Sequence, residues 1–165
     1  MVAFPGRSIG MGRWTMQSRE HAELAPLLIV DDNEAIRDTI RVLLEGAGYT
    51  VSEASTGKEA LVLLRESSEP YVVLLDDRMP ELSGEDVLRA ILGDRQLRRR
   101  HTYILLSGIP HLSRRLRLQR MLQALAIEVV AKPFNIVDLE QAVARAQGRQ
   151  RNLRSFKLPV LRWSR

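Results

Sequence analysis

The 165-residue chain contains no cysteine. That excludes thiol catalysis, disulfide bridges and thiolate metal centres, and it suits a reducing compartment. No apolar stretch approaches the roughly 20 residues that span a bilayer. The first 25 residues include Arg7 and Arg13 but no continuous apolar segment, which argues against a secretory signal. A cytoplasmic location and no membrane span are therefore expected. Internal repeats and low-complexity tracts are also absent. Acidic residues are missing from one region, residues 146–165, which carries six Lys or Arg.

What is present is an ordinary globular composition, 45% hydrophobic, enough for one domain with a proper core. The net charge of +5 belongs to the ends: residues 26–145 hold 16 basic and 18 acidic side chains. Residues 1–25, interrupted by Pro5, Gly6, Gly10 and Gly12, are expected to be a flexible arm. Residues 26–147 read as the folded domain. Residues 148–165 read as a basic tail without an output domain, and Pro159 argues against one continuous helix there.

The domain is organised around Tyr71–Gly84. Five apolar or aromatic residues, Tyr71 to Leu75, form a run typical of a strand buried on both faces. Asp76 and Asp77 follow at once, then a loop punctuated by Pro80 and Gly84. Similar strands are predicted at Leu27–Val30, Tyr49–Glu53, Thr102–Leu106 and Ile127–Ala131. Helical spacing predicts a first helix through Ala35, Ile36, Ile40, Leu43, Leu44 and Ala47, stopped by Gly46 and Gly48, and further helices near 58–66, 84–92, 111–126 and 136–147, with Asn33 as an N-cap and Asn135–Asp138 resembling a capping box. Residues 95–100 read as a basic linker. In the 111–126 helix, Leu112, Leu116, Leu122 and Leu125 are expected inside, with Arg114, Arg115, Arg117 and Arg120 outside.

Strict β-α alternation predicts an α/β fold: a doubly wound, five-stranded parallel sheet with helices on both faces. The flavodoxin-like strand order 2-1-3-4-5 puts its switch point between the first and third strands, where ligands bind beyond the strands' carboxyl ends. Asp31 and Asp32 then lie beside Asp76, with Ser107 and Lys132 on the same edge. Three crowded carboxylates repel, and a hard divalent cation such as Mg²⁺, which prefers oxygen ligands, relieves that repulsion. A carboxylate can then attack phosphorus, with Lys132 and Ser107 contacting phosphoryl oxygens. Taken singly, each residue also has a plainer role: helix-terminal acid, turn serine or solvated lysine.

The segments L-L-I-V-D-D-N, V-V-L-L-D-D-R-M-P-E-L-S-G, I-L-L-S-G and V-V-A-K-P-F, in that order, closely resemble the receiver domain of two-component response regulators, over about Pro26 to Gln147. The resemblance implies that Asp76 is the phosphoacceptor. It implies Mg²⁺ held by Asp32, Asp76 and the carbonyl of Arg78, with Asp31 acting largely through water. Ser107 would contact the phosphoryl group and report it, and Lys132 would pair with it, before a cis bond to Pro133. Asp77 would be a mere neighbour pointing away. The donor would be a sensor histidine kinase or a histidine phosphotransfer protein, and the chain would catalyse only its own phosphorylation and dephosphorylation. A downstream protein target would be met through the 112–147 face, which also offers a route to a homodimer.

Three features depart from the family pattern. Val129 stands where the family usually has Tyr or Phe. Arg78 and Ile109 occupy positions that tune dephosphorylation and offer water no general base, which implies slow or unremarkable hydrolysis. The 111–126 helix is unusually basic. Two alternatives stay open: an unphosphorylated receiver-fold scaffold, and a protein that binds nucleic acid through its basic tail. An aspartyl-phosphate phosphatase of the haloacid-dehalogenase kind would need an acid where Arg78 stands.

Overall fold

The computed structural model describes residues 24–108 and 116–155, side chains through Leu153. Five strands are present: β1 (Leu27–Val30), β2 (Val51–Ala54), β3 (Val72–Asp76), β4 (Thr102–Ser107) and β5 (Glu128–Ala131). They form one sheet in the order β2-β1-β3-β4-β5, every pair parallel. Among the described residues six helices connect or follow them: α1 (Glu34–Gly46), α2 (Gly57–Glu66), α3 (Gly84–Gly93), α4 (Arg95–Arg100), α5 (Leu116–Ala124) and α6 (Ile136–Ser155).

Strand composition follows strand position. Every residue of β1, β3 and β4 is buried, whereas β2 and β5, at the sheet's edges, are only partly covered. Alternate residues of each central strand feed separate cores. Leu28, Val73, Leu75 and Leu105 pack with Leu61, Leu88, Leu97 and Met121 from α2, α3, α4 and α5. Leu27, Ile29, Leu74 and Ile104 pack with Ile40 and Leu44 of α1 and Leu139 and Val143 of α6. Each fully buried aliphatic side chain contributes about 1.5–3 kcal/mol.

Local chemistry sets the helix starts and stops. The side chains of Asn33 and Thr56 accept the amides of Ile36 and Glu59. Ser83 and Asp86 form a reciprocal capping box at α3. Gly48, at φ 89°, takes the left-handed conformation that turns the chain from α1 toward β2. At α6 the Asp138 amide donates to Asn135 Oδ1 at 2.9 Å, the half of the expected capping box that orders the helix start.

Several expectations need correction. Residues 95–100 are a one-turn helix, because Asp94 Oδ1 accepts the amides of Gln96 and Leu97 while Leu97 is buried. The last helix does not end near Gln147 but continues to Ser155. Gln147 and Gln150 are buried and hydrogen-bonded, which holds the helix through Gly148. On α5 the inward side chains are Leu118 and Met121, with Leu122, and Leu125 just after the helix, partly buried. Leu116, two residues before Leu118, faces the other way and is 66% exposed. Arg117 and Arg120 are exposed as expected. The expectations for residues 1–23, Ile109, Leu112, Arg114, Arg115 and residues 156–165 lie outside the described residues.

Candidate functional site

The parallel sheet delivers the carboxyl ends of β1, β3, β4 and β5 to one edge. Asp31 and Asp32 follow β1, Asp76 ends β3, Ser107 ends β4 and Lys132 follows β5. Carboxylate oxygens of Asp31, Asp32 and Asp76 all lie within 4.8 Å of one another. Asp31 and Asp76 are buried; Asp32 is exposed.

Lys132 joins two of the three. Its Nζ donates to Asp31 Oδ2 at 2.7 Å and to Asp76 Oδ1 at 2.8 Å. Burial opposes the lysine's charge, but hydrogen bonds to Asp31 and Asp76 outweigh it and hold its pKa above the ordinary value. Burial raises the pKa of Asp76 above the usual carboxylate range, against the pull of the Lys132 ammonium. The backbone amide of Arg78 also donates to the Asp76 carboxylate.

The surrounding backbone fixes these groups. Asp31 Oδ1 accepts the Asn33 amide at 2.9 Å, and the Arg37 guanidinium donates to the Asp31 carbonyl at 2.8 Å. Gly84 packs directly on the end of β3: a Cβ there would lie 2.3 Å from the Asp76 carbonyl oxygen, so a side chain would push the acid out of place. The Lys132–Pro133 bond is cis, as the resemblance implies. Beside the trio lies a cleft of about 710 Å³ between α1 and the loop after β5, lined by Asn33, Ile36, Arg78, Gly108, Lys132 and Phe134.

Ser107 stands on the right edge, but its hydroxyl donates to Asp77 Oδ2 at 3.2 Å. Asp77 is therefore more than a neighbour: it does face away from Asp76, yet it is buried and engages Ser107. Nothing in the local sequence pattern announces this pair; only strand register brings it together. Arg37 and Gly84 were likewise missed as positioning groups. The Gly84 signal was its fixed distance from Asp76 within the loop motif. Val129 is partly buried against the α2–α5 core, with no ring at that place.

An all-oxygen trio whose negative charge Lys132 only partly offsets fits a hard divalent cation such as Mg²⁺ better than a softer metal. The model for the response regulator receiver domain family matches residues 27–144. The chain belongs to the response regulator receiver family. It is therefore a two-component signalling domain. Curated relatives include the probable transcriptional regulator ycf27 of Guillardia theta, 35% identical over 130 residues, 79% of this chain and 48% of that protein. The polar-differentiation response regulator DivK of Brucella ovis is 39% identical over 72 residues, 44% of this chain and 58% of that one. The chain spans less than two thirds of the length of these curated relatives. Among solved structures, a receiver domain protein from Clostridium thermocellum is 31% identical with a TM-score of 0.64, covering 79% of this chain and 99% of that one. The receiver domain of a Pseudomonas aeruginosa PAO1 sensor histidine kinase, with magnesium coordinated in its active-site cleft, is 27% identical with a TM-score of 0.64. It aligns with 75% of this chain and 98% of its own. Among the described residues, no helix is long and apolar enough to cross a membrane.

Proposed function

We propose that this receiver accepts a phosphoryl group on Asp76 from a phosphohistidine of a sensor histidine kinase or phosphotransfer protein. The observation that carries the proposal is the packing of three carboxylates within 4.8 Å, with Lys132 bonded to both buried ones. Asp31, Asp32 and Asp76, with the Arg78 carbonyl, would hold Mg²⁺. When bound, the ion neutralises charge on the carboxylates and on phosphoryl oxygens. A carboxylate oxygen of Asp76 attacks phosphorus, the P–N bond to the donor histidine breaks, and that nitrogen leaves with the bond's electrons. Lys132, already at 2.8 Å from Asp76, is within reach of an oxygen on the incoming group. Ser107 would supply a further hydrogen bond.

Arg78 lines the adjoining cleft and offers water no general base. Slow loss of the phosphoryl group follows, and a lifetime of seconds would overturn that part of the reading. Output would pass to a protein target through the 112–147 face, of which 116–147 is described, with a homodimer through the same face as a second arrangement. The setting would be cytoplasmic, and the support for that is the family. The scaffold alternative is disfavoured by the complete Asp76, Ser107 and Lys132 set. The nucleic-acid alternative is disfavoured because the sequence carries no nucleic-acid recognition motif beside the basic tail.

The test is intact mass measurement after incubation with Mg²⁺ and acetyl phosphate. One added phosphoryl mass is expected, dependent on Mg²⁺ and lost in Asp76→Ala. No added mass together with no Mg²⁺ binding would favour the scaffold.

A further inference from the structure

Asp77 takes no part in the chemistry proposed above, yet it is only 2% exposed. Carboxylates are seldom buried without a purpose or partners. Its position follows from the pleat. Consecutive residues in an extended strand face opposite sides, so Asp76 and Asp77 diverge. Asp76 is in register with Leu106, which places Asp77 opposite Ser107. The strand's alternation puts Ser107 on the same side as Tyr103 and Leu105, within the α2–α5 core. Ser107, also 2% exposed, donates its hydroxyl to Asp77 Oδ2 at 3.2 Å.

We propose that Asp77 is the positioning residue that sets the resting orientation of Ser107, holding its hydroxyl on the α5 side of the sheet and away from Asp76. The proposal rests on Asp76 being the phosphoacceptor. A serine hydroxyl carries one proton to donate. It can serve the Asp77 carboxylate or a phosphoryl oxygen on Asp76, but not both. Both acceptors are anionic, so the exchange replaces one charge-assisted hydrogen bond by another of similar strength. That near balance makes the hydroxyl a two-position element that phosphorylation can bias. The element also fits the absence of an aromatic ring at Val129. A valine there fills space in the α2–α5 core, and the anionic hydrogen bond supplies the discrete alternative that a turning ring would give.

The consequence is kinetic. Holding Ser107 on Asp77 withholds a donor from the transferring group, so releasing it should speed phosphorylation. The experiment compares Mg²⁺-dependent labelling by acetyl phosphate in the full chain, as wild type, Asp77→Asn, Ser107→Ala and the double variant. Asp77→Ser is run alongside, so that failure of one Asp77 variant to fold leaves the comparison standing; a thermal melt reports folding. Asp77→Asn, which keeps the shape but removes the charge, is expected to label about tenfold faster than wild type. In the Ser107→Ala background the same change should alter nothing. A folded Asp77 variant that labels at the wild-type rate or slower overturns the proposal. So does equal acceleration with and without Ser107, since Asp77 then acts by another route. A wild type that labels on Asp76 while both Asp77 variants are unchanged refutes the positioning role alone. A wild type that never labels refutes the phosphoacceptor reading and this one together.

Discussion

The two ends of the sheet bury polar groups in opposite ways. At the carboxyl edge, Asp31, Asp76 and Lys132 are charged and stacked against one another, with Asp32 exposed beside them. At the amino edge the buried polar groups are mostly neutral and matched one to one. His101 Nδ1 accepts the Tyr71 amide at 3.0 Å, so the proton sits on Nε2 and is donated to the Leu64 carbonyl at 3.1 Å. Gln147 both accepts from and donates to the backbone of Ala25, and Gln150 bridges Thr102 and the Arg100 carbonyl. Arg149 is the exception there: its Nη1 lies 3.5 Å from Glu128, but its buried Nε and Nη2 have no hydrogen-bond partner among the described residues. The difference separates two uses of buried polarity. Matched neutral groups lock elements together and ask for nothing further. Crowded like charges leave an electrostatic demand that a cation can meet.

Breaking the charged edge should have the largest effect. Lys132→Met leaves Asp31 and Asp76 facing each other without their shared ammonium. Removing one partner of a buried pair costs about 3–5 kcal/mol, and the lysine's partial exposure puts this case at the lower end. Urea unfolding at neutral pH without Mg²⁺ should show the loss, and millimolar Mg²⁺ should recover part of it. Full stability without metal would mean that the two acids do not need a cation.

The neutral edge should respond to acid instead. Burial lowers the His101 pKa to about 4, with Arg100 adding to the shift against the Leu64 carbonyl. The unfolded chain, with an ordinary value near 6.5, then binds more protons between about pH 6.5 and 4. Stability from this group is therefore complete above about pH 6.5, falls as pH drops toward 4, and loses on the order of 3 kcal/mol over that window. His101→Gln should flatten this part of a stability–pH profile. An unchanged slope would place the titration elsewhere.

The smallest effect sharpens the contrast. Thr102→Val removes the 2.6 Å donor to Gln150 Oε1 and leaves a buried amide oxygen short of one partner. The cost should be about 1–2 kcal/mol by urea unfolding, with no dependence on Mg²⁺. A Mg²⁺-dependent loss would show that the two edges are coupled through β4.

Most of the sheet was legible because burial on both faces writes a continuous apolar run, as in V-V-L-L of β3 or I-L-L of β4. Alternation of strands and helices then fixed the order, and the order brought Asp31, Asp32, Asp76 and Lys132 together. What could not be read depends on partners distant in sequence. Gly148 resembles a stop signal until Gln147 and Gln150 find their partners at Ala25, Thr102 and Arg100. Four arginines around Leu97 resemble a linker until that single leucine is seen to be buried. Leu116 belongs to the leucine-rich segment, but the phase of α5 is set by Leu118 and Met121. Asp77 looked incidental because its contact with Ser107 exists only through the pairing of β3 with β4.

Helix α6 has 20 residues and so measures about 30 Å from end to end. It starts three residues after Pro133, beside the charged edge, and finishes beyond the amino edge, where two glutamines grip it. Such a rod converts angle into displacement. A tilt of about 5° at its start would move its far end by about 2.6 Å if the rod pivoted freely. Gln147 and Gln150 act as clamps against that swing, so whatever follows Ser155 would receive a twist about the helix axis more readily than a sideways stroke.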